Sequence, residues 1–173
     1  MNNIQLLKTE ATIPYSISLL RKILMDTPGM DEWDETFNKH EVIEKFPEEG
    51  GIIRVIEYLF IKFPLMMDNR DIDIVQEKKI WEEYNGNEHN CLIISKSIEH
   101  HSHPPQKKVI RGEMILSGIY LKENKIGQTD IYMVNNVDLK IKTGADLVNK
   151  VAKKKPKEFI ENLTKFCKKC YKK

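Results

Sequence analysis

The chain has 173 residues, 40% hydrophobic and 31% charged, with a formal net charge of +2; that balance excludes a disordered polyelectrolyte and predicts one soluble globular domain over residues 1–173. The longest largely apolar run, Ile56 to Met67, is interrupted by Glu57, Lys62 and Pro64 and is too short to span a bilayer. No basic, then apolar, leader opens the sequence, and Cys91, Cys167 and Cys170 form no disulfide framework, so a cytoplasmic protein is expected.

Ile4 to Ile13 has the composition of a first strand, ended by Pro14. Ser16 to Met25 places Ile17, Leu19, Leu20, Ile23 and Leu24 at helical spacing, with Ser16 as cap and Asp26-Thr27-Pro28-Gly29 as stop. A short helical turn is expected within Asp31–Asn38, with the indole of Trp33 filling core space. From Gly51 the pattern turns to β, with strands at about 52–62, 71–81, 90–98, 107–121 and 129–138. Phe63-Pro64 and Asp68 to Asp71 make a corner, and Asn85-Gly86-Asn87, His103-Pro104-Pro105 and Glu123 to Gln128 mark turns. Five strands on such links form an antiparallel meander. Thr143-Gly144-Ala145-Asp146 resembles a capping box opening a last helix. Its apolar stripes stay on one face across Pro156, because Val148 to Phe159 is close to three whole turns; a single kinked helix, roughly 40 Å long, is predicted.

Several polar residues fall on apolar faces. Glu57 shares strand phase with Ile53, Val55, Leu59 and Ile61. It is either a solvated carboxylate or a buried one that must be paired, hydrogen-bonded or protonated, because unpaired burial costs several kcal/mol. Gln76 shares phase with Ile72, Ile74 and Ile80. Arg111 shares phase with Ile115 and Ile119, so it either enters the interior and meets Glu57 or stands on the surface. His100, His101 and His103 sit together without a matching carboxylate or cysteine set, which makes a polar loop the better reading than a metal site. The Cys167/Cys170 pair lies in the helical pattern and lacks the second pair a zinc site requires. Neither a nucleotide-binding glycine loop nor a nucleophile elbow is visible, and no catalytic residue or cofactor is expected. Residues 140–173 hold twelve lysines against Asp146, Glu158 and Glu161, so one end of the molecule is basic. Without interleaved aromatics this charge favours an anionic membrane surface over nucleic acid, with an ordinary solvated face as the alternative.

Phe63-Pro64, Asn69-Arg70-Asp71, Trp33-Asp34, Val109 to Glu113 and Val137 to Lys140, in that order and spacing, resemble the START lipid-transfer domain. The resemblance implies an α+β helix-grip fold, in which a curved antiparallel sheet wraps a long C-terminal helix around an apolar tunnel holding one lipid. It also implies that Glu57, thirteen residues before Arg70, lies in the tunnel. Glu57, Gln76 and Arg111 are expected to orient the polar end of the lipid, and Ile115, Ser117, Met133, Asn135, Val148, Phe159 and Leu163 to line the tunnel. The helix is expected to act as a lid, with Lys153, Lys154 and Lys157 meeting the membrane.

Departures from the family pattern fall at Gln76, where many members carry Arg, and at Met30 and Ser117, where the phosphatidylcholine-binding branch carries Arg and Gln. The chain resembles the family from about its third strand, which predicts either a fragment or a short form with an unpaired edge that could dimerise. The expected activity is non-enzymatic transfer of a single lipid, a phospholipid first, then a sterol or ceramide. An enzyme or sensor of hydrophobic small molecules on the same architecture, or a lipid-independent interaction module, are the alternatives.

Overall fold

The computed structural model describes residues 6–26, 28–34, 38–61, 71–85, 88–125, 127–140 and 145–171, with side chains along the last helix described from Lys154 to Cys170. The elements follow in the order β1 (Leu7–Ile13), α1 (Ile17–Met25), a 3-10 turn (Pro28–Glu32), β2 (Lys39–Lys45), β3 (Ile52–Ile61), β4 (Asp71–Asn85), β5 (Glu88–Ser97), β6 (Val109–Arg111), β7 (Glu113–Lys125), β8 (Gln128–Asp138) and α2 (Ala145–Tyr171). The strands form one curved sheet in the order β1-β8-β7-β5-β4-β3-β2. All neighbours on that path are antiparallel; the short β6 pairs parallel with the start of β4. The corner from Phe63 to Arg70 and the capping residues Thr143 and Gly144 lie outside the described residues.

The expected meander is present with two differences. β2 was concealed by its sequence, KHEVIEK, because an edge strand dominated by charge gives little apolar signal. The strand expected over 107–121 is divided at Gly112, whose N–H donates to the Asp73 carbonyl at 2.9 Å.

Both helices lie on one side of the sheet, here called the inner face. In α1 the Ser16 hydroxyl accepts from Leu19 N–H at 3.4 Å and Ile17, Leu20, Ile23 and Leu24 are buried. α2 is one helix of 27 residues that passes through Pro156, about 40 Å long at 1.5 Å per residue. The main core joins α1, α2 and the inner face through Leu20, Leu24, Ile80, Ile93, Leu121 and Leu163. Trp33 belongs to it as expected, meeting the Phe159 ring edge-on at 5.3 Å and stacking on Phe166 at 6.4 Å. On the outer face, Ile56, Tyr58 and Val75 form a second cluster with Phe46, Phe60 and Ile98. β3 is therefore buried on both sides at its centre, which is why it reads as a nearly continuous apolar run. Among the described helices, none is long and apolar enough to cross a membrane.

Candidate functional site

Strand register places the inner-face side chains in transverse rows. One row is apolar, running Ile53, Ile80, Ile93, Ile119 and Met133 across β3, β4, β5, β7 and β8. The next runs Val55, Lys78, Ser95, Ser117 and Asn135. A third runs Glu57, Gln76 and Ser97. Beyond it Leu59 and Ile74 pack with Met114 and Val137 in a separate apolar cluster. The inner face thus carries a polar belt between two apolar bands, and this belt divides the inner core into two clusters.

At the β3–β4 end of the belt the groups are deeply buried. The Glu57 side chain is 1% exposed and that of Lys78 6%, and Lys78 Nζ stands 2.6 Å from Glu57 Oε1. The two residues are diagonal neighbours on one face, since Glu57 is directly opposite Gln76. Gln76 Nε2 donates to Glu57 Oε2 at 2.9 Å, so both carboxylate oxygens have partners. Lys78 Nζ also approaches the Leu24 carbonyl at 3.5 Å, where the negative end of the α1 dipole favours a cation. Gln76 Oε1 is buried without a hydrogen-bond partner among the described residues. Farther along the belt, the Ser117 hydroxyl donates to Asn135 Oδ1 at 2.8 Å, and Met114 N–H donates to Ser97 Oγ at 2.7 Å.

The structure brings Glu57, Gln76, Ser117, Met133 and Asn135 onto the inner face; Leu163 of α2 belongs to the same core cluster as Met133, and Phe159 packs against that cluster. Arg111 is elsewhere. Its guanidinium donates twice to the buried Asp73 carboxylate, at 2.8 and 3.0 Å, and once to the His103 carbonyl at 2.9 Å. Asp73 is opposite Phe60 on the outer face, so the expected Glu57–Arg111 encounter does not occur. The cause is a bulge between Met114 and Leu116, which reverses the phase between β6 and the body of β7. The same bulge leaves Ile115 44% exposed and buries Met114 in its place. Val148 and Lys153 lie outside the described side chains. Lys154 and Lys157 are exposed and reach Glu158 and Glu161 at 2.6 and 3.9 Å.

Lys78 is the site residue that sequence reasoning missed. The signal was available: it shares the two-residue period of Ile74, Gln76 and Ile80, one step from the position facing Glu57. His100, His101 and His103 occupy a loop over the outer face, where His103 lies against Tyr58 with ring centroids 4.9 Å apart. No group of three or more potential metal ligands occurs among the described residues.

A comparison with curated protein sequences finds no match. Among solved structures, human STARD10 superposes with a TM-score of 0.83 at 18% identity, over 96% of this chain and 64% of that one. This chain therefore spans just under two thirds of the STARD10 chain. Human StAR-related lipid transfer protein 5 gives 0.81 at 16% identity, over 96% of this chain and 76% of that one. The Zhui aromatase/cyclase from Streptomyces sp. R1128 gives 0.59 at 10% identity, over 96% and 94%. These likenesses show the shared fold. The START domain family model matches residues 2–173, and the chain belongs to the START domain family.

Proposed function

We propose that residues 1–173 act as one unit that binds a single lipid between the inner face and α2 and carries it between membranes without breaking a bond. The observation that supports this reading is the polar belt between two apolar bands, which matches a molecule with a polar end and a long apolar body. Glu57, Gln76, Ser117 and Asn135 orient the polar end; Met133, Phe159 and Leu163 contact the apolar body, with Val148 on the same helix. Phospholipid, sterol and ceramide are the candidate cargoes.

Loading requires α2 to move, and contact with a membrane stabilises the displaced helix. The protein is then a soluble cytoplasmic carrier that meets membranes transiently through the basic side of α2. Lys154 and Lys157 share their charge with glutamates, which shifts the weight of that contact toward the exposed Lys165, Lys168 and Lys169.

The test is transfer from donor to acceptor vesicles, followed by mass analysis of the lipid recovered from the protein. The carrier reading predicts catalysed transfer of a lipid whose mass is unchanged. A recovered product of altered mass indicates an enzyme, and absence of both binding and transfer overturns the proposal.

A further inference from the structure

The charges and hydrogen bonds at the buried end of the belt restrict which lipid fits, and this step rests on the carrier reading above. Along the two polar rows, Lys78 is the only cation among the described residues, and its ammonium is matched by the Glu57 carboxylate at 2.6 Å. A phosphate or carboxylate brought there meets no uncommitted cation and must face the Glu57 charge. A quaternary ammonium must face Lys78. Either arrangement places an uncompensated charge in a buried setting.

The Gln76 amide adds a direction. Because Glu57 accepts from Gln76 Nε2, the amide orientation is set and Oε1 is the group left over, in a residue only 6% exposed. An unsatisfied carbonyl oxygen needs a donor, which the apolar body of a lipid cannot supply. We infer that Glu57, Lys78 and Gln76 together select an uncharged lipid whose polar end donates a hydroxyl or amide hydrogen to Gln76 Oε1. In this arrangement Lys78 is a positioning residue: it neutralises Glu57, and Glu57 in turn orients the amide.

The experiment uses the full chain and needs no variant to be decisive. Phosphatidylcholine vesicles are doped with equal amounts of cholesterol, 1,2-dioleoylglycerol and ceramide, each accompanied by its O-methyl ether, which for ceramide is methylated at both hydroxyls and at the amide nitrogen so that no donor remains; the protein is incubated, repurified and extracted, and its lipid is quantified by mass spectrometry. The expected result is that one parent lipid exceeds its own ether by about tenfold and exceeds phosphatidylcholine as well, as one lost buried hydrogen bond implies. Gln76→Met should bring the parent-to-ether ratio close to unity. Equal uptake of parent and ether, or dominance of phosphatidylcholine, overturns this inference while leaving the carrier reading standing. Failure to take up any lipid overturns both.

Discussion

Glu57 and Lys78 stabilise one another at the buried end of the polar belt, so losing one partner differs in kind from losing both. Glu57→Leu strands a buried ammonium and should lower unfolding stability by roughly 3–5 kcal/mol. Adding Lys78→Met to that variant should recover most of the loss, because a well-packed apolar pair of similar volume is often neutral. Urea denaturation of the single and double variants measures both numbers; equal destabilisation of the two would argue against direct coupling. A Glu57→Leu variant therefore reports on lipid selectivity only when Lys78 is replaced with it.

Burial pushes the Cys91 thiol up to about 11, with Glu82 adding to the rise and Arg21 opposing it, and burial pushes Cys167 to about 11 as well. Both are raised above the ordinary value of 9.0, so their contribution to stability is intact below pH 9 and falls away as the pH rises toward 11, where the unfolded chain ionises first. In the folded protein at pH 8, a thiol reagent should modify Cys170 readily and Cys91 and Cys167 only on unfolding, measured by peptide mapping of the labelled chain.

At the scale of elements, the irregular pieces decide which face a side chain joins. The two-residue period located β3, β5 and β8, and the helical period located α1 and the whole of α2, because these segments have one consistently apolar side. The period also exposed Glu57 as a carboxylate on an apolar face. It failed at Arg111, since a bulge is a backbone event that leaves little trace in hydrophobic pattern, and every residue read through it changes side. β2 escaped because its partners, and not its own sequence, define it.

Arg111 joins two strands through the outer-face Asp73. Its bidentate bond to Asp73 fastens β6 to β4, and Asp73 is fully buried. Arg111→Ala should cost about 3 kcal/mol of stability by leaving that carboxylate unpaired, yet leave the ranking of bound lipids unchanged. Thermal melts and lipid extraction of the variant read the two effects separately; an altered ranking would return Arg111 to the binding site.

For the whole molecule, the distribution of charge matters more than the net value of +2, because the lysines are concentrated on the segment that includes α2. Among the described residues, Lys165, Lys168 and Lys169 have no carboxylate within 4.0 Å, unlike Lys154, Lys155 and Lys157. At about 1 kcal/mol for each lysine near an anionic surface, replacing all three with Ala should weaken binding to phosphatidylserine-containing vesicles by about a hundredfold, and added salt should reduce wild-type binding in the same direction. Vesicle sedimentation over a salt series tests this. The same triple replacement in a soluble, membrane-free binding assay should leave lipid affinity unaltered.

The central claim is that the space between the inner face and α2 holds one lipid. Native mass spectrometry of the purified protein, with lipid extracted from the same sample, tests it most directly. The account predicts a species heavier than the chain by the mass of a single lipid, identified in the extract. A protein that is empty, and that stays empty after incubation with vesicles offering phospholipid, sterol and ceramide, would contradict it.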